Sequence, residues 1–257
     1  MRQPPAPRLA WLERGDPFPP VDQALTEESG ANGLLAASNS LDAAMLMHAY
    51  RQGIFPWSGP GEPLLWWSPD PRMVLWVPEF KFQRSLRQAV VKALREGQRL
   101  TCDTAFADVM RACAAPRPGQ AGSWITAPIL QGYEELHAQG LAHSIELWQD
   151  DILIGGLYLV ALGQMIYGES MFSRTPNASK ICLAALVHWL TPWSSPEAPI
   201  AIDCQQETSH LKSMGARPIP RDAFLRCLSL QTAKPALPWD LDPPSLNMFM
   251  LTHGQSA

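Results

Sequence analysis

Three apolar stretches in succession, residues 144–148, 152–162 and 164–172, constrain the fold of this chain more than any other feature. They are joined across Asp150-Asp151 and at Gly163, both of which favour tight reversals, so the spacing predicts an antiparallel meander. Asn177 can then cap a helix in which Ile181, Ala184, Ala185, His188 and Trp189 recur on one face. A short apolar strand, Ile202-Asp203-Cys204-Gln205, follows. The expected class is α+β. Residues two apart on a strand share a face, so Asp203 and Gln205 are expected to emerge side by side while Ile202 and Cys204 face the other way. Glu169, in Gly168-Glu169-Ser170-Met171-Phe172-Ser173, joins them if the two strands are neighbours. The same pattern also suits polar strand ends beside solvent.

Upstream, Ser40 can cap a helix over residues 41–51 whose Leu41, Met45, Leu46 and Ala49 share a face, with Gly53 to end it. Next comes an aromatic stretch, Ile54-Phe55-Pro56-Trp57 and Leu64-Leu65-Trp66-Trp67-Ser68-Pro69-Asp70-Pro71, read as a Pro-broken loop on irregular backbone. Trp66 and Trp67 are expected to pack between two domains. Trp57, flanked by Pro56 and by Ser58-Gly59-Pro60, is the better candidate for exposure. At 100° per residue, Lys81, Arg84, Arg87, Lys92, Arg95 and Arg99 fall within about 140° of one face of a helix over residues 80–99. Phe82, Leu86, Val90 and Leu94 fall opposite, and Glu96 is the one acid in the span. Such a stripe suits a phosphate backbone; the alternative is an ordinary solvated face, which usually mixes signs. Thr126 can cap a helix carrying Ile129, Tyr133 and Leu136. A short helix over residues 209–214, stopped by Gly215, and a last helix over residues 221–230 complete the core. The tail from Lys234, with Pro235, Pro238, Pro243 and Pro244, reads as an extended arm over the surface.

At 257 residues the chain can hold one large domain or two unequal ones. A net charge of -4 argues against a wholly basic nucleic-acid-binding protein. The Pro-rich start lacks the pattern of a secretion signal and no apolar run is of membrane-spanning length, so a cytosolic (cytoplasmic) protein is expected. Five cysteines without a C-x-x-C pair read as reduced thiols, and six scattered histidines lack metal-ligand spacing, so no metal or cofactor is expected. Cys204 as a nucleophile near His210 is weak, because it most simply points into the core. Meander, helix, strand is the order of acetyltransferase-type N-acyltransferases. Their pyrophosphate loop carries glycines at the start of that helix, but Ser173-Arg174-Thr175-Pro176-Asn177-Ala178-Ser179-Lys180 contains none. Coenzyme A is therefore poorly accommodated, and another donor is expected.

A set of motifs carries a family resemblance. They are Phe18-Pro19-Pro20, Asn32-Gly33-Leu34-Leu35-Ala36, Ala49-Tyr50-Arg51-Gln52-Gly53-Ile54-Phe55-Pro56-Trp57, Trp66-Trp67-Ser68-Pro69-Asp70-Pro71-Arg72, Trp124-Ile125-Thr126, the Glu169 segment, Asn177-Ala178-Ser179-Lys180 and Ile202-Asp203-Cys204-Gln205. Together they resemble the bacterial leucyl/phenylalanyl-tRNA–protein transferases. The resemblance implies a small N-terminal domain over residues 1–70, a larger acetyltransferase-like (GNAT-type) domain over residues 71–232 with a mostly antiparallel sheet flanked by helices, and a Pro-rich arm over residues 233–257. It implies transfer of Leu, Phe or Met from aminoacyl-tRNA to proteins beginning with Arg or Lys, marking them for degradation.

The terminal adenosine would sit between Trp57 and Trp124, and the amino-acid side chain among Leu157, Ile166, Met171, Leu183, Leu186 and Ile202. Tyr133 and Ser173 are assigned to the substrate site. Asp203, Gln205 and Glu169 would stand beside the ester, with Asp203 acting as base, ordering the amine, or leaving proton transfer to the 2′-hydroxyl. Lys81, Arg84, Arg87, Lys92 and Arg95 would meet the tRNA. A monomer is expected. Departures are Ser38-Asn39-Ser40-Leu41, where the family usually has Gly-Gly-Asp-Leu, and aliphatic residues at pocket positions that are often aromatic. Two rival readings are an aminoacyl-tRNA-dependent ligase of cell-wall peptides, whose usual coiled arm has no heptad run here, and a non-catalytic RNA-binding adaptor, which leaves Asp203 and Gln205 unexplained.

Overall fold

The structure, a computed structural model, describes residues 9–59, 61–116, 125–239, 247, 249 and 252. The N-terminal part comprises β1 (Ala10–Leu12), β2 (Leu34–Ser38), α1 (Ala43–Tyr50), β3 (Phe55–Pro56) and β4 (Leu64–Trp67). The remainder runs β5 (Arg72–Trp76), α2 (Arg84–Arg95), β6 (Arg99–Cys102), α3 (Phe106–Ala114), α4 (Ala127–Ala138), β7 (Ala142–Gln149), β8 (Ile152–Leu162) and β9 (Met165–Ser173). It ends with α5 (Ala178–Leu190), β10 (Ala201–Gln205), α6 (Ser209–Ser213), β11 (Arg217–Ile219) and α7 (Arg221–Thr232). A small sheet has the order β1-β2-β4-β3, and a seven-stranded sheet the order β11-β5-β10-β9-β8-β7-β6. The class is α+β.

In the larger sheet one neighbouring pair is parallel, β9 with β10. A parallel pair needs a crossover, and α5 supplies it. The expected meander is β7, β8 and β9, antiparallel throughout. Both faces of β8 are covered, which is why it reads as a continuous apolar run. Tyr158, Val160 and Leu162 enter one core with α1, α3, α4 and α7. Leu157, Leu159 and Ala161 enter the other with α2 and α5.

Several local expectations are corrected. The aromatic stretch is not wholly irregular: it forms β3 and β4, because Trp66 and Trp67 pair with Pro56 and Phe55 across the small sheet. Trp66 is fully buried and donates to Ser38 Oγ at 3.0 Å. Helix α1 is capped by Asp42, whose Oδ1 accepts from Met45 N at 2.8 Å, not by Ser40. Thr126 and Asn177 sit at their N-cap positions without a side-chain cap bond.

Helix α2 is shorter than the predicted helix over residues 80–99. Lys81 precedes it, held by its N–H to Met214 O at 2.9 Å, and Gly97 at φ 71° ends it. Arg99 is drawn into β6 opposite Trp148. The arm does not simply lie over the surface: Leu237 and Phe249 are buried, and Trp239 stacks on His143 with ring centroids 4.1 Å apart. Large apolar side chains in a tail gain more from the core than from water.

Candidate functional site

A cleft of about 510 Å³ opens where β8, β9 and β10 meet α5 on one side and the β3 end of the small sheet on the other. Its apolar wall is Leu157, Met171, Leu183, Leu186 and Ile202, all expected there, together with Phe55 and Cys204. Trp57, 42% exposed, stands at the mouth with its ring edge-on to Trp67 at 5.8 Å. Glu169, Gln205, Thr208 and His210 are among the polar groups of the lining.

Two irregularities bring Glu169 and Gln205 together. On β9 the register against β8 shifts between Tyr158 and Leu159, which pair with Ser170 and Gly168, leaving Glu169 as the extra residue. On β10 the register against β5 shifts between Asp203 and Gln205, and Gln205 takes φ 57°. Such bulges re-aim side chains that strict alternation would send elsewhere. Gln205 Nε2 donates to Glu169 Oε1 at 3.4 Å, and Tyr133 Oη to Oε2 at 2.9 Å. Behind Tyr133, the Tyr50 hydroxyl lies 2.5 Å from its oxygen. Burial pushes the Glu169 carboxyl up to about 7, against the hydrogen bonds from Tyr50 and Tyr133, which lower it. The cleft thus holds a carboxyl that titrates near neutrality, the property expected of a proton acceptor working at cellular pH.

Asp203 does not emerge beside Gln205. It is fully buried, facing away from the cleft, with Oδ1 accepting from Arg72 Nε at 2.8 Å and Oδ2 from Arg72 Nη2 at 2.6 Å. Arg72 Nη1 also donates to Gly53 O at 3.0 Å, and the guanidinium carbon lies 4.6 Å from the ring centroids of both Phe55 and Phe224. Asp203 Oδ1 accepts in addition from Gln205 N at 2.9 Å, so the ion pair pins the bulge that presents Gln205. Strand alternation holds for Ile202, Asp203 and Cys204 and fails at Gln205. Cys204 is buried yet reaches the cleft wall, and burial pushes its thiol far above the usual range, which removes it as a neutral-pH nucleophile.

Two family models match the chain: leucyl/phenylalanyl-tRNA protein transferase over residues 74–229, and the N-terminal domain of the same family over residues 39–70. A leucyl/phenylalanyl-tRNA–protein transferase of Cupriavidus necator is 52% identical over 252 residues, covering 97% of this chain and 99% of that one. Its counterpart from Bordetella avium is 52% identical over 242 residues, covering 90% and 92%. The chain belongs to the leucyl/phenylalanyl-tRNA protein transferase family. The residues that line the cleft all fall within the two matched spans, while β1, β2 and Arg72 lie outside them.

The remaining residues expected in such a transferase site are placed unequally. Ile166 is fully buried beneath the cleft as the register partner of Ile202. Tyr133 is fully buried and acts on the cleft through Glu169. Ser173 is not in the lining: its Oγ accepts from Ser179 N at 2.9 Å and so serves the start of α5. Trp124 lies outside the described residues.

Of the stripe, Arg84, Lys92 and Arg95 are exposed on α2, Arg87 is half-buried over the Phe82 ring, and Val91 within the same arc is buried. Among the described residues no group of three or more His, Cys, Asp or Glu is placed to hold a metal ion, and no helix is long and apolar enough to cross a membrane. The sequence reading missed Arg72 and Tyr50. A signal for Arg72 existed: it opens the apolar run Met73-Val74-Leu75-Trp76, and Asp203 sits in another apolar strand, so each lone charge needed an opposite partner.

Proposed function

We propose that this protein transfers leucine, phenylalanine or methionine from aminoacyl-tRNA to the α-amine of proteins beginning with Arg or Lys, in the cytoplasm, and so marks them for degradation. The observation that carries this is the apolar cleft in which Glu169 and Gln205 converge beneath the exposed ring of Trp57. The wall of Leu157, Met171, Leu183, Leu186 and Ile202 suits an unbranched-β apolar side chain. Trp57 suits base stacking with the terminal adenosine, with Trp124 as its partner. The exposed Arg84, Lys92 and Arg95, with Lys81 and Arg87, suit tRNA phosphates. An acetyltransferase-like arrangement of the larger part is supported by β7, β8 and β9 followed by the α5 crossover to a parallel β10. A division at residues 1–70, 71–232 and 233–257 goes with this reading, and the family models, which meet between residues 70 and 74, support its first boundary.

An aminoacyl ester is already activated, so the work left is to align the amine and take one proton. The amine nitrogen of the acceptor attacks the ester carbonyl carbon, the C–N bond forms and the C–O bond to the ribose breaks. Glu169 accepts the amine proton, which the departing ribose oxygen finally takes. Gln205 orients that carboxylate. Asp203, locked to Arg72, holds the backbone of Gln205 and is a positioning residue. The test is incubation of purified protein with labelled Leu-tRNA or Phe-tRNA and a protein beginning with Arg. Label at the acceptor's N-terminus is expected; its absence there, or its appearance on a cell-wall peptide precursor, overturns the reading.

A further inference from the structure

The cleft has further polar lining that the transfer chemistry does not use. His210 of α6 lines the cleft. Lys180 of α5 precedes Leu183 by three residues, a spacing that puts both on one helix face, and Leu183 is part of the cleft wall. Lys180 therefore extends the row of Leu183 and Leu186 by one turn toward the start of α5. Burial, with a smaller contribution from the Lys180 charge, holds the His210 imidazole below its ordinary range, so it is an uncharged N–H donor at neutral pH.

Neither finds an anionic partner: among the described residues Lys180 makes no ion pair, and the nearby acid of the loop, Glu207, is taken by Lys212. The position is fixed by packing. A Cβ added at Gly155 would run into Ala178, so the bare β8 backbone lets the start of α5 settle close against the sheet. The peptide dipoles at that helix start favour an anion in the same place. A lysine without an ion-pair partner and an imidazole N–H beside a cleft built for an acyl group and a base ring suit a negatively charged part of the ligand.

We propose that Lys180 and His210 form the subsite for the phosphodiester that links the terminal adenosine of the donor RNA to the nucleotide before it. The inference rests on the aminoacyl-RNA donor of the preceding section and assigns two residues to its last phosphate. The bound anion neutralises Lys180, and the imidazole N–H donates to a phosphate oxygen. The contact reads no base. It sets how far the 3′ end can enter, and so places the ester over Glu169.

The test compares two non-reactive donor mimics, a 3′-aminoacylamino-adenosine without phosphate and the same compound extended by a 5′-linked cytidylate carrying one phosphodiester. With the parent protein, the dinucleotide is expected to bind more tightly, by a margin that shrinks between low and high salt. Lys180→Gln should weaken dinucleotide binding by about tenfold, one partly screened charge-assisted contact, while the phosphate-free mimic binds within about twofold of the parent. Lys180→Arg should restore most of the margin, and His210→Asn should remove a smaller part of it. Equal weakening of both mimics by Lys180→Gln, or no effect on either, overturns the subsite and leaves the donor reading standing. Failure of the parent protein to bind either mimic overturns both.

Discussion

Replacing Glu169 by Gln tests the chemistry most directly, because it keeps the shape of the side chain and removes both its charge and its titration. Burial holds the Glu169 carboxyl at about 7 against an ordinary 4.5, so the fraction able to accept a proton rises with pH through neutrality. The attacking α-amine must also be unprotonated, and its ordinary value is about 7.7–8.0. The parent's single-turnover rate with pre-bound donor should therefore climb over two overlapping limbs, and the Gln variant should keep only the upper one. A positioned base contributes roughly 10²–10⁴-fold, and the variant should fall by that range above pH 8.

Stability gives an independent reading of the same carboxyl. Its folded pKa is raised, so the folded state holds the proton more tightly. That contribution is complete below the unfolded value of 4.5 and is lost as pH rises through about 7, amounting to up to about 3 kcal/mol. The difference in Tm between variant and parent should move in the variant's favour across that window. A rate within threefold of the parent at pH 8, with both limbs present, would refute Glu169 as the acceptor.

Four further outcomes are expected. Asp203→Asn should lower stability by about 3–5 kcal/mol in denaturant titration, because it leaves Arg72 charged and unpaired in the core, whereas Arg72→Met with Asp203→Leu should be less destabilised than the sum of the single changes. Trp57→Ala should weaken binding of an aminoacyl-adenosine mimic by about 1–3 kcal/mol and Trp57→Phe by less; equal binding by all three proteins removes the ring from the base site. Changing Arg84, Arg87 and Arg95 together to Ala should flatten the slope of log affinity for tRNA against log salt by two to three contacts' worth, and an unchanged slope returns α2 to a plain solvated face. Ile-tRNA and Val-tRNA should be poorer donors than Leu-tRNA, since a β-branch is stiff next to the ester carbon, and equal transfer would show that the aliphatic wall is not the side-chain pocket.

What could be read from the sequence, and what could not, follows from where the backbone stays regular. The continuous run of β8 and the turn at Gly163 fixed the meander, because both faces of that strand are buried and its hydrogen bonds are local. The apolar wall was named only through the family resemblance: period puts Leu157, Leu183, Leu186 and Ile202 on apolar faces but does not tell a cleft wall from the core behind it. The polar site was harder. Its two working side chains are presented by bulges, one at Glu169 and one between Asp203 and Gln205, where alternation is broken, and a period of two cannot report a residue inserted into it.

The residue that stabilises the second bulge, Arg72, lies 131 positions from its partner, so no local window contains both. Its pairing also reverses the simplest reading of Asp203. A carboxylate in an apolar strand looks like a catalytic group until the opposite charge on β5 is counted, and then it becomes the anchor of a backbone distortion. The bulge in turn gives Gln205 its reach to Glu169. The ion pair, the bulge and the carboxyl that titrates near neutrality are therefore one device, in which the buried charges act on the cleft only through the backbone they hold.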